Sequence, residues 1–186
     1  VIIWLLNWLI LRGVQEAAAL NVITTIAKLI PILLFVIAVI FFGAFRPAVF
    51  MENFWGADTP GAPDISTQIK ATTSATVWSF IGVEGAVVLS ARAKHSADVG
   101  KASLTGFLGI FAIYVLVAIL SMGVLSTEEL AILKSPQMAG ILQAVIGPWG
   151  AAIVNIGVIL SLAGALLGWT ILAADCPYSA ARQGVF

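Results

Sequence analysis

The sequence predicts an all-α integral membrane protein from its apolar composition, the grouping of apolar residues into long blocks, and the scarcity of charge inside those blocks. Of 186 residues, 61% are hydrophobic and 10% charged, whereas an average soluble domain carries about 25% charged residues. Mean hydropathy is +1.08. A transmembrane barrel would need segments of roughly 10 residues with strict alternation, and the apolar blocks do not alternate.

The same composition narrows the chemistry. Net charge is zero and no basic stripe is present, so nucleic acid is not an expected partner. The lone cysteine, Cys176, excludes an internal disulfide and a thiol cluster, and the single histidine, His95, is too few for a histidine metal site. No metal and no cofactor is expected. No nucleophile–base pair stands out either, so the chain does not read as an enzyme.

Five hydrophobic segments follow in order. The first, 1–12, reads VIIWLLNWLIL and then Arg12, about half of the ~20 residues a spanning helix needs. It has neither the basic leader nor the small-residue cleavage site of a signal peptide. Together with the end at Phe186, shortly after another apolar block, it suggests a piece of a longer membrane protein. A single partial transmembrane domain over 1–186 is therefore expected, with spans near 17–42, 73–93, 99–123 and 148–174. The 43–72 stretch carries Pro47, Pro60, Pro63 and several turn residues and reads as an external loop. Within 124–147, Ser126 and Glu129 fit a capping box that opens a short helix. PQMAGILQAVIG fits a second short helix lying along the membrane surface.

Basic residues orient the spans. Arg12, Arg92, Lys94, Lys101 and Arg182 fall on one side, which is expected to be cytoplasmic. Arg46, Lys70 and Lys134 fall on the other, beside Glu52, Asp58, Asp64, Glu128 and Glu129. The 43–72 loop then faces outward.

Three ionisable residues lie in or at the edge of spans. A charge at the centre of a membrane helix costs about 2.5–3.5 kcal/mol on insertion scales, so such residues usually face a polar cavity or a partner. Asp175 sits at a span's end beside Pro177, where water or Arg182 can satisfy it, and it reads as structural. Glu84 lies within TVWSFIGVEGAVVLSA, flanked by Gly82 and Gly85, each weakening a helix by about 1 kcal/mol relative to alanine. A break there would free backbone groups to line a cavity, as in transporters. The alternative is a continuous helix whose glycines permit close packing. Lys28 lies three residues before Pro31, roughly 17 Å of helix from the start of its span. That is far to snorkel, which favours a place in the bundle interior. Gly164 and Gly168 form a small-xxx-small ridge suited to helix packing. Trp78 and Trp169 sit inside their spans rather than at the interface; two indoles could frame a cation or simply pack.

Together WSFIGVEGA at 78–86, ARAKHSADVGKA at 91–102, GWTILAA at 168–174 and TTIAKLIP at 24–31 resemble the amino acid–polyamine–organocation superfamily. The likeness is greatest to its basic amino acid/polyamine antiporters, and among those to arginine/ornithine exchangers. The resemblance implies an inverted-repeat (LeuT-like, 5+5) transporter fold. The chain would cover the end of helix 4 through helix 8, with helix 6 discontinuous at about 78–86. It further implies that Trp78 gates the substrate and that carbonyls of Trp78 and Ile81, beside Gly82, receive its α-ammonium. By the same resemblance Trp169 stacks on the substrate side chain, Glu84 serves pH response or cation handling, and Lys28 stands where some proton-coupled relatives replace a sodium ion.

The function expected is exchange of a cationic amino acid (arginine) for a related amine (ornithine) by alternating access. Proton-coupled import and a non-transporting membrane subunit are the rival readings. Expected partners are basic amino acids or polyamines and the lipid bilayer of the cell (inner) membrane. The full-length protein is a candidate homodimer.

Overall fold

The computed structural model describes residues 2–12, 14–52, 54–55, 61, 63–83, 85, 90, 93 and 95–185. These form α1 (Ile2–Arg12), α2 (Val14–Phe41), α3 (Pro47–Glu52), α4 (Ile65–Ser79), α5 (Ser96–Val124), α6 (Thr127–Ile132), α7 (Gln137–Ile146) and α8 (Pro148–Arg182). No strand occurs among the described residues. Among the described residues, three stretches are long and apolar enough to cross a membrane: Ala19–Phe41, Asp98–Val124 and Pro148–Arg182. At 35 residues, α8 is about 52 Å long by the standard rise. It therefore exceeds the ~30 Å hydrocarbon core and continues through Pro177, past the end near Ala174 that hydropathy marks. The helix outlasts its apolar stretch because Ser179, Ala180, Ala181 and Arg182 can still be helical once they are polar or small.

The chain divides into two compact units, one of residues 1–31, 84–105 and 156–186, the other of 32–83 and 106–155. In the first unit, α8 meets α2 along a row of glycines. A Cβ on Gly157 would overlap Pro31, one on Gly164 would overlap Thr24, and one on Gly168 would lie 3.6 Å from Asn21 Oδ1. As numbering rises along α8 it falls along α2, so the two helices run antiparallel. Small residues let membrane helices approach this closely and gain dispersion contacts. The expected Gly164–Gly168 ridge is thus a packing face, and Gly157 extends it. Its contact with Pro31 also places the proline, which cannot donate a backbone hydrogen bond, inside a packed seam; α2 runs through it to Phe41. Leu167, 1% exposed, is covered by Leu9, Ile10 and Ile171.

The second unit has its own core of Phe35, Val39, Leu120, Leu142 and Val154, each 8% exposed or less. The Phe45 ring lies where a Cβ on Gly123 would go, so this glycine admits the ring against α5. Just beyond, the Arg46 guanidinium donates to the Val124 carbonyl at 2.9 Å, and the Arg46 N–H donates to the Gly123 carbonyl at 2.8 Å. These bonds satisfy carbonyls that end a helix without intrahelical partners and set a cation at the negative end of the helix dipole. The capping box at α6 forms as expected, with Ser126 Oγ accepting from the Glu129 N–H and Glu129 returning to the Ser126 N–H. The second short helix is α7.

The expected loop and span boundaries shift around α4. The 43–72 stretch contains α3, and α4 begins at Ile65 rather than near residue 73. Asp64 is the reason: it caps the helix, accepting from the Ser66 N–H at 3.1 Å, from the Ser66 hydroxyl and from the Thr67 hydroxyl at 2.6 Å. The Ser66 and Thr67 hydroxyls, in that order, hold its carboxyl below the usual carboxylate range. A carboxyl depressed in the folded state stabilises above its unfolded pKa, near 3.9, and that stabilisation is lost as pH falls through the lower folded value. Amide exchange at Ser66 and Thr67 is therefore expected to be constant from neutral pH to about pH 5, after correction for intrinsic rates. Protection should then decline on further acidification, and Asp64→Ala should show the unprotected pattern already at neutral pH.

Candidate functional site

The polar face of α4 leads into the expected site. The Thr72, Thr73, Thr76 and Ser79 hydroxyls each donate to the carbonyl four residues earlier, at 2.7–3.0 Å. Back-bonding of this kind satisfies a hydroxyl without a partner from another helix. The helix then tightens and stops. Phe80 N–H donates to the Val77 carbonyl at 3.1 Å, Ile81 N–H to that of Trp78 at 3.3 Å, and Val83 N–H to that of Phe80 at 3.4 Å. These are i to i+3 bonds, the pattern of a 3₁₀ turn. Gly82 follows with φ of +108°, a conformation side chains rarely adopt.

Aromatic packing holds this helix end against α5. The Phe80 ring lies 5.1 Å from that of Phe107 and meets Tyr114 edge-on at 5.6 Å. The Tyr114 hydroxyl donates to the Ser79 carbonyl at 3.2 Å. Neither Phe80 nor Tyr114 stands out in the sequence, because their contacts join segments distant along the chain.

Trp78, Ile81 and Gly82 therefore share one helix end in the second unit. Trp78 is 76% exposed and Ile81 47% exposed, so both side chains are largely uncovered by the described residues. Lys28 and Trp169 belong to the first unit. Lys28 is half-buried and follows Asn21 and Thr24 at helical spacing, with Pro31 three residues on. It thus lies on the α2 face that meets the α8 glycines. Trp169, 49% exposed, directly follows Gly168 on that ridge. Glu84 lies outside the described residues.

Asp175 lies on the part of α8 that belongs to the first unit. It is only 5% exposed. Arg182, the partner considered from sequence, lies over the Tyr178 ring at 6.0 Å. Among the described residues no group of three or more His, Cys, Asp or Glu side chains could hold a metal. An open cavity of about 450 Å³ lies among Phe42, Ala44, Arg46, Val124, Leu125 and Val145; none of the expected site residues lines it.

The sequence model of the amino acid permease family matches residues 1–186. The chain belongs to the amino acid permease family. The chain is 43% identical over 190 residues to an arginine/agmatine antiporter of Chlamydia pneumoniae, covering 100% of this chain and 39% of that protein. It is 43% identical over 183 residues to an arginine/ornithine antiporter of Pseudomonas aeruginosa, covering 98% and 38%. It thus spans about 39% of the length of such relatives. No solved structure matches it significantly. Family and membrane-length helices together make it a multi-pass membrane protein.

Proposed function

We propose that the full-length protein exchanges a cationic amino acid such as arginine for a related amine such as ornithine, by alternating access within an inverted-repeat fold in the cell (inner) membrane. The observation that carries this reading is the end of α4 at Trp78–Gly82. Ending a helix leaves its last carbonyls without intrahelical donors, and a carbonyl that accepts one hydrogen bond keeps a second lone pair. The Trp78 and Ile81 carbonyls are suited to an α-ammonium, with Gly82 turning the chain away so that a ligand can approach. The antiporter names of the relatives support the same substrates.

In this reading the Trp78 indole closes over the substrate, and Trp169 offers a π face to its guanidinium or terminal ammonium. Glu84 tunes the charge of the site. The chemistry is all non-covalent, and each substrate in turn enables the carrier to reorient. Proteoliposomes of the full-length protein are expected to take up labelled arginine when loaded with ornithine or arginine, and not when empty. Equal uptake into empty vesicles would rule out obligate exchange.

One observation favours a second reading, proton-coupled import. Lys28 lies on a packed helix face, where a fixed ammonium could take the place of a coupling cation. Uptake driven by an imposed pH gradient into vesicles without internal amino acid would select that mechanism.

A further inference from the structure

We infer that Tyr114 is a positioning residue for the ammonium cradle at the end of α4. This rests on the substrate reading above. In an uninterrupted helix the Ser79 carbonyl would accept from the N–H of Val83, four residues on. Here Val83 N–H donates to the Phe80 carbonyl instead, which removes that donor from Ser79. The Tyr114 hydroxyl supplies a replacement from α5, 35 residues away in sequence, at 3.2 Å. At membrane depth a backbone carbonyl without a donor is costly, so the replacement favours the stopped helix over other conformations.

The same tyrosine fixes direction as well as energy. Its ring meets the Phe80 ring at 80°, and Phe80 also packs on Phe107 and Phe111. Edge-to-face pairs favour particular geometries, so α4 is held both through a side chain and through the adjacent carbonyl. Helix carbonyls point nearly along the axis and are set about 100° apart around it, so fixing one of them fixes the rotational position of its neighbour. Drawing the Ser79 carbonyl toward α5 therefore sets where the preceding Trp78 carbonyl points. Tyr114 touches no substrate and acts through the Ser79 peptide.

Tyr114→Phe in the full-length protein isolates the hydroxyl, since the ring and its aromatic contacts stay. Arginine affinity is expected to fall roughly 2- to 12-fold, the range of one hydrogen bond. The discriminating probe is δ-guanidinovalerate, which is arginine without its α-amino group, measured by its inhibition of arginine exchange. Its inhibition constant is expected to stay within about twofold, because it has no ammonium for the cradle; a general loss of packing would weaken both ligands alike. Unchanged arginine affinity overturns the inference, as does an equal loss for the two ligands, or loss of both together with a collapsed thermal transition. Wild-type protein that shows no arginine exchange would instead reject the substrate reading itself.

Discussion

Gly82→Ala is expected to lower arginine exchange by the full-length protein roughly 5- to 150-fold, the equivalent of about 1–3 kcal/mol of backbone strain. Gly82 has φ of +108°, beyond even the left-handed helical region that Asn and Asp occasionally visit. An alanine there has two outcomes available: it keeps the turn at that cost, or it relaxes the chain toward a continued α-helix. Continuing the helix would return the Val83 N–H to the Ser79 carbonyl and withdraw the Trp78 and Ile81 carbonyls into intrahelical bonds. Exchange falls to the extent that the chain relaxes, because the continued helix has no cradle for the substrate. The measurement is initial uptake of labelled arginine into counter-loaded vesicles, normalised to inserted protein. Gly85→Ala serves as the comparison: Gly85 has no positive φ, and its Cβ would meet Leu172 Cδ1 at 3.4 Å, an ordinary contact. It should retain most activity, and equal losses for the two variants would indicate that helix propensity rather than the Gly82 turn decides the effect.

Trp169→Leu is expected to weaken arginine binding roughly 2- to 30-fold, since a cation–π contact contributes about 0.5–2 kcal/mol depending on desolvation. Trp169 is about half-exposed and directly follows Gly168, whose approach to Asn21 helps seat that part of α8. Its neighbour in sequence thus fixes the backbone while the indole stays free to meet a ligand. Trp169→Phe, which keeps a π face of lower cation affinity, should fall between leucine and wild type. Calorimetric titration of purified full-length protein with arginine gives the order directly. Leucine and phenylalanine variants with equal affinity would reduce Trp169 to a packing residue.

Local signals were the legible ones. Ser126 and Glu129 form their capping box because a four-residue stretch suffices to encode it, and Gly164 packs against α2 because small residues on one helix face invite that contact. The start of α4 was obscured for the opposite reason. Its first turns, ISTQIKAT, are polar, so a hydropathy window starts eight residues after the helix does, although Asp64 followed by Ser66 and Thr67 carries a capping signal. The stop at Gly82 was foreseeable from two glycines, but what holds it was not. Tyr114 and Phe80 look like ordinary apolar residues of their segments until the fold joins them. Burial of Asp175 was hidden similarly: Pro177 suggests a helix end, yet α8 continues to Arg182.

The central claim, that the stopped end of α4 receives the substrate, is tested most directly by a structure of the full-length protein with arginine bound. The account predicts the arginine α-nitrogen about 2.7–3.2 Å from the Trp78 and Ile81 carbonyl oxygens, with α4 still turning out of helix at Gly82. Arginine held elsewhere, with the helix continuous through Gly82, would contradict it.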